Sequence, residues 1–257
     1  MSTLSLIVVF CLLGGVLSVG CAGAFLLAPQ PWRTRILPHL LSFAVGAMLG
    51  AAFLALLPHA IVDGHVDDMH QLGYAVLGGL LFFFLLEKLI LWRHHHPYDG
   101  HDHEHGCAEG PAGYLILIGD GLHNFIDGIV IAAAFLTDTH LGIVTALAVA
   151  AHEIPQEVGD FAVLLASGFS RGRALAFNLL ASAATVIGGV MAYFALSSVF
   201  AWVPYVLAVA AAGFIYIAVA DLIPGLHKRA RPVEALQQLI LIVAGAAMIH
   251  FLHAVAH

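Results

Sequence analysis

Residues 120–127, D-G-L-H-N-F-I-D, and 152–160, H-E-I-P-Q-E-V-G-D, set nine polar side chains into otherwise apolar surroundings. The nine are Asp120, His123, Asn124, Asp127, His152, Glu153, Gln156, Glu157 and Asp160. In the first stretch, spacings of three and four put all four polar groups on one helical face. In the second, His152 stacks on Gln156 and Glu153 on Glu157, with Asp160 about one turn further on. Pro155 removes a backbone donor and leaves the carbonyl of Ala151 free in mid-helix.

The rest of the chain says what surrounds them. Of 257 residues, 61% are apolar and 10% charged, and the mean hydropathy is +0.97. A soluble domain carries about 45–50% apolar and about 25% charged residues. That excludes a cytosolic enzyme and a disordered scaffold, and the formal charge of −7 argues against nucleic acid as a partner. The partners expected are the lipid bilayer and metal ions, because the 17 histidines outnumber the nine Lys and Arg together. Three scattered cysteines, Cys11, Cys21 and Cys107, imply no disulfide framework. The stretch 4–28 has no basic residue before it and is long enough to cross a bilayer, so it reads as a retained helix rather than a signal peptide.

About 20 apolar residues span the hydrocarbon core. Eight segments reach that length, near 4–28, 38–60, 73–92, 112–136, 141–167, 174–198, 204–224 and 235–256. The expectation is an all-α integral membrane protein, one transporter domain over residues 1–257. All nine basic residues then fall on one side: Arg33, Arg35, Lys88, Arg93, Arg171, Arg173, Lys228, Arg229 and Arg231. Cationic loops stay cytoplasmic, which places both termini outside the cell (inner) membrane. The cytoplasmic loop 93–111 packs His94, His95, His96, His101, His103 and His105 among acidic residues and is either a metal-binding tract or a solvated spacer. The outward 2–3 loop gathers Asp63, His65, Asp67, Asp68 and His70, an acidic loop or a cation-collecting entrance.

Ionisable groups inside a span cost at least about 2.5–3.5 kcal/mol each for Asp, Lys or Arg. The polar seam through spans 4 and 5 therefore reads as an ion pathway rather than a structural network. The antiparallel run of the two spans brings His123, Asp127, His152 and Glu153 to the midplane, with Asp120 and Asp160 level with each other nearer the cytoplasm. Mixed imidazole and carboxylate ligation suits Zn²⁺, Fe²⁺ or Mn²⁺ better than Mg²⁺ or Ca²⁺. Glu87 and Asp221 sit at the inner ends of spans 3 and 7 as exit candidates, and His59 at the outer end of span 2 as an entrance ligand. His250, His253 and His257 read as structural, Asn178 and Ser182 as supporting residues, and Gly46/Gly50 and Gly78/Gly79 as points of close helix packing.

H-N-F-I-D-G at 123–128 and H-E-I-P-Q-E-V-G-D at 152–160 resemble the paired signatures of the ZIP (Zrt-/Irt-like) divalent metal transporters. They are closest to the branch whose fifth helix carries H-E-x-P-H-E-x-G-D. The resemblance covers essentially the whole chain, and implies a carrier of Zn²⁺ and related ions into the cytoplasm. It also implies an inverted 3+2+3 repeat about spans 4 and 5, a homodimer, and no organic cofactor. Carried over, His123, Asp127 and His152 are ligands of a first metal, and Asn124 and Glu153 of a second. Gln156 departs from the pattern, since the branch has His there and other members often have Glu. A neutral amide bridges two metals poorly. Glu157 matches the motif but points about 100° from Gln156, making it a secondary ligand.

Two other readings start from the same residues. His123 and Asp127 spell H-x-x-x-D, a spacing used by cation diffusion facilitators, which export Zn²⁺; those usually have six spans and a cytoplasmic C-terminal domain. H-E-I-P-Q opens like the H-E-x-x-H of zinc proteases, but Gln156 and Pro155 break that motif, and an enzyme is not expected.

Overall fold

A backbone in hydrocarbon must satisfy its own polar groups, and a chain this apolar does so in helices. The computed structural model describes residues 1–62, 68–92, 111–227 and 231–255, and every regular element among them is helical. The eight long helices are α1 Thr3–Leu27, α2 Gln30–Val62, α3 Met69–Trp92, α4 Pro111–Thr137, α5 Thr139–Ala166, α6 Arg171–Ser198, α7 Phe200–His227 and α8 Pro232–Val255. Asp63, His65, Asp67, Arg93, Cys107, Lys228, Arg229, His257 and the loop histidines His94, His95, His96, His101, His103 and His105 lie outside the described residues.

Each helix matches one expected span and begins ahead of it, while the far ends agree to within three residues. α2 begins at Gln30 rather than at 38 and carries Arg33 and Arg35 in its first turns. Its 33 residues make about 50 Å of helix, beyond a core of about 30 Å. Hydropathy finds the part in lipid; the helix continues past it. Seven of the eight helices are long and apolar enough to cross a membrane, α5 being the one outside that set. The carboxylates of Glu153, Glu157 and Asp160 lie within it.

Helix contacts define the architecture. α4 packs against α6, α1 against α5, α2 against α8 and α3 against α7, while α4 meets α5 and α1 meets α6. Exchanging α1 with α6, α2 with α7, α3 with α8 and α4 with α5 turns this set of contacts into itself. That is the 3+2+3 inverted repeat. A local feature repeats with it: A-F-L-A-L-L-P at 52–58 and A-V-A-D-L-I-P at 218–224. Both form a π-helical turn, in which the N–H of Leu57 bonds the carbonyl of Ala52 and that of Ile223 the carbonyl of Ala218. Pro58 and Pro224 follow directly. Each lacks the N–H that would continue the regular ladder, and the preceding turn widens.

Small residues let the backbones meet. A Cβ on Gly46 of α2 would lie 1.9 Å from the carbonyl oxygen of Ile242 on α8. One on Gly128 of α4 would lie 1.9 Å from that of Thr185 on α6. Gly50 and Gly79 also face neighbouring helices, but Gly78 has open space around it, so the expected packing role at 78/79 falls to Gly79. Leu81, Phe82 and Leu85 of α3 and Leu236, Leu239 and Ile240 of α8 point outward, a surface suited to lipid.

Candidate metal transport site

The site lies where α4 and α5 face each other. α5 is fixed at its start by Asp138, whose Oδ1 accepts the backbone N–H groups of His140 and Leu141. From there the helix runs inward through Pro155, bringing His152 and Glu153 opposite His123 and Asp127.

Four ligand atoms converge. One from each of His123, Asp127, His152 and Glu153 lies within 4.8 Å of the others. His123 Nε2 is 3.1 Å from His152 Nε2, 3.7 Å from Asp127 Oδ2 and 3.6 Å from Glu153 Oε1. His152 Nε2 is 3.2 Å from Asp127 Oδ2 and 3.9 Å from Glu153 Oε1. Ligands about 2.1 Å from a tetrahedral ion stand about 3.4 Å apart. The separations bracket that value, so a Zn²⁺-sized cation fits with small adjustments.

The protonation pattern is set locally. His152 Nδ1 lies 3.1 Å from the carbonyl of Ala148, which can only accept, so Nδ1 is the donor there and Nε2 is the ring nitrogen turned to the cluster. Asp127 Oδ2 and both oxygens of Glu153 are buried without a hydrogen-bond donor. Buried carboxylate oxygens without donors are costly, and a divalent cation would satisfy them together.

A second group adjoins the first. Asp120, Glu153 and Glu157 also bring one oxygen each within 4.8 Å, so Glu153 belongs to both sets. Glu157 is fully buried and accepts from Ser182 Oγ at 3.0 Å. Asn124, offered by motif as a ligand, uses both ends of its amide within the protein. Its Nδ2 donates to Asp120 Oδ1 at 2.8 Å, and its Oδ1 accepts from Thr185 Oγ1 at 2.7 Å.

A cavity of about 310 Å³ leads away from this crossing. Asp120, His123, Gln156 and Asp160 line its inner part, and Glu87, Tyr216 and Asp221 its far end, where Tyr216 Oη donates to Glu87. His123 is the four-residue cluster's member on the cavity wall, while His152 is fully enclosed. Gln156 faces the cavity. His59 is remote from the crossing: buried near the far end of α2, it packs edge-on against the ring of His253.

Known proteins match along nearly all of the chain. The model of the ZIP zinc transporter family matches residues 1–113 and 92–253. The chain belongs to the ZIP zinc transporter family. Among its relatives, a zinc transporter ZIP13 from Pongo abelii is 36% identical over 91% of this chain and 75% of its own length. A ZIP13 homolog from Drosophila melanogaster is 31% identical, over 93% and 87% respectively. Zinc transporter SLC39A7 from Rattus norvegicus is 28% identical, over 92% and 70%. As a family member this is a membrane transporter of divalent metal, not an enzyme, and the protease reading of H-E-I-P-Q ends there.

Three features were weighted differently by sequence. The stacking of Glu157 on Glu153 was read from spacing, but ranking Glu157 by its angle to Gln156 made it secondary, whereas it joins Glu153 and Asp120 in one group. Thr185 carries no motif, and only its closeness to Gly128 reveals the bond to Asn124. Tyr216 lies on α7 in an apolar run that gives no sign of its partner Glu87.

Proposed function

We propose that this protein moves Zn²⁺ across the membrane into the cytoplasm by alternating access, with His123, Asp127, His152 and Glu153 as the transport site. The observation that carries the reading is the convergence of those four ligand atoms within 4.8 Å in the middle of two membrane helices. Asp120, Glu157 and Asp160, then Glu87 and Asp221, form the route out. Gln156 lies beside that route as a weak neutral ligand, and Asn124 orients Asp120.

The cavity supports the direction. Its far end, at Glu87 beside Lys88, opens where the basic residues cluster, the side that stays cytoplasmic. The conformation is then open inward, with both termini outside the cell (inner) membrane. We read residues 1–257 as one transporter domain, acting as a homodimer, with the His94–His105 tract as a cytoplasmic metal-binding segment. His and carboxylate ligands bind metal only when deprotonated, so uptake weakens as pH falls. Fe²⁺, Mn²⁺ and Cd²⁺ are the competing cargoes expected of such a donor set.

The test is uptake into proteoliposomes, read by elemental analysis for Zn²⁺, Fe²⁺, Mn²⁺ and Cd²⁺. Wild type accumulates Zn²⁺, and H123A/H152A does not. Undiminished uptake by that double variant overturns the site. Greater zinc tolerance in cells expressing the protein would reverse the direction and favour export.

A further inference from the structure

α2 and α8 part from each other at the end of the bundle where the basic residues cluster. Both helices start there, α2 with Arg33 and Arg35 in its first turns and α8 at Pro232, just after Arg231, and they pack side by side. Deeper along the seam Gly46 meets the backbone of Ile242 and the helices close. Before that point they enclose a cavity of about 140 Å³. A single water needs ~10–15 Å³ on the same measure, so the space admits a group of several heavy atoms.

Its lining is polar and carries both signs of charge. Arg35, His39 and Ser42 contribute from one face of α2, and Glu234, Gln237 and Gln238 from one face of α8. Arg35 and Glu234 share the space, yet no hydrogen bond or ion pair joins them among the described residues. Their neighbours are held by the backbone. His39 Nδ1 lies 2.8 Å from the carbonyl of Arg35, and Ser42 Oγ donates to that of Pro38 at 2.7 Å. Gln238 Nε2 donates to the carbonyl of Leu226 at 3.3 Å, which keeps its Oε1 as an acceptor.

The depth is that of lipid headgroups. By hydropathy the apolar parts of these helices begin near residues 38 and 235, so the cavity straddles the edge of the hydrocarbon. Trp32, exposed one turn before Arg35, is the kind of side chain that settles at this boundary.

We propose that this cavity binds the headgroup of a phosphatidylethanolamine lipid, with the phosphate on Arg35 and the ammonium on Glu234. A guanidinium fork matches phosphate oxygens. A carboxylate beside an amide oxygen matches a primary ammonium, which has three donors to place. The acyl chains have the exposed Leu236, Leu239 and Ile240 of α8 to lie against. Phosphatidylglycerol would set Glu234 against a headgroup with no positive charge, and the trimethylammonium of phosphatidylcholine has no N–H to give. The leaflet follows from keeping basic residues cytoplasmic; the binding does not depend on it, nor on the metal carried.

Native mass spectrometry of the full-length protein in detergent tests this, with dioleoyl phosphatidylethanolamine, phosphatidylglycerol and phosphatidylcholine offered at equal concentrations. Wild type retains one phosphatidylethanolamine per chain, bound about tenfold more tightly than either other lipid, the scale of one charged hydrogen bond. Arg35→Ala loses that lipid. Glu234→Gln inverts the order and favours phosphatidylglycerol, because the phosphate keeps its partner while the ammonium has lost its own. An inversion is a result that mere loss of structure would not produce. Zn²⁺ binding by both variants stays at the wild-type level and shows that they are folded. A wild type without preference for phosphatidylethanolamine, or variants that keep that preference, overturns the site. The transport reading fails on a different result, undiminished uptake by H123A/H152A.

Discussion

α2 with α8 and α4 with α6 are joined by one device and put to different uses. In both pairs a glycine stands where any Cβ would meet the opposite backbone, at Gly46 against Ile242 and at Gly128 against Thr185. Along α2 and α8 the buried residues around the contact are Ala44, Ala47, Met48, Ala51 and Ile249. Along α4 and α6 the same proximity brings Thr185 to Asn124, and Ser182 of α6 reaches Glu157 on α5. Close approach in a membrane comes from small residues whatever the function. A pathway is marked by something else: polar groups that the packing positions without fully satisfying. Asp127 Oδ2, Glu153 Oε1 and Oε2, Asp120 Oδ2 and Glu157 Oε2 are such atoms.

The largest effect that separates the two regions is chemical. His152→Ala or Asp127→Ala should lower Zn²⁺ uptake by about 100-fold or more, since each removes a direct ligand. Wild type at 100 times the Kd of this site gains about 2.7 kcal/mol from the ion bound there, and the variants should lose that share. Thermal melts with and without Zn²⁺ read this directly. A zinc-dependent rise in melting temperature that persists undiminished in His152→Ala would remove the distinction between the regions.

Next comes the shared device. Gly46→Leu and Gly128→Leu each force a side chain into the facing backbone and should cost about 3 kcal/mol, roughly 5–10 °C in melting temperature. They should then diverge. The folded fraction of Gly46→Leu keeps its zinc-dependent shift, because nothing on that seam touches the ligands. Gly128→Leu loses it, because moving Thr185 away releases Asn124 and with it Asp120. Equal zinc responses in the two would show that the α4–α6 seam is only packing.

These contrasts also explain what could be read from the sequence. The eight spans were legible because lipid demands length and apolarity over about 20 residues, and α5 was found despite its carboxylates because its neighbours stayed apolar. That His123, Asp127, His152 and Glu153 reach one depth was legible from helical spacing and the antiparallel run of the two spans, while the motif had set Glu153 apart with Asn124 and the packing groups it with the other three. The Thr185 bond to Asn124 was not, because it joins residues 61 apart and depends on Gly128 letting α6 come close. The ring contact of His253 with His59 was not legible either, because it rests on how α8 packs against α2. Local periodicity reports a face; what lies opposite is a property of packing.

A smaller effect tests that unforeseen bond. Thr185→Val keeps the shape and removes the donor to Asn124 Oδ1, leaving a buried acceptor unpaired at about 1–3 kcal/mol. Because Asn124 also holds Asp120, the expected result is a several-fold rise in the KM for Zn²⁺ uptake. Thr185→Ser restores the hydroxyl and should recover most of it. A KM that stays at the wild-type value in Thr185→Val would assign the bond to stability alone.

The smallest effect is at the start of α5, where the polar helix is anchored to the rest. Asp138→Ala removes an N-cap and should cost about 1 kcal/mol, while Asp138→Asn, an equally good cap, should cost little. The pH dependence separates capping from charge. The backbone N–H groups of Leu141 and His140 overcome the opposing effect of burial and hold the Asp138 carboxyl below its ordinary value. A carboxyl lowered on folding stabilises fully above its unfolded pKa of about 3.9, and that contribution fades as pH falls through the folded value. The stability gap between wild type and Asp138→Ala, measured without zinc, should therefore be flat from pH 8 to about pH 5 and close only in acid. It is a small gap, because the group is only partly buried and solvent screens it. A gap that instead closes between pH 7 and pH 6 would trace to imidazole titration, and would make the histidines around the connection, rather than its cap, the element that fixes α5.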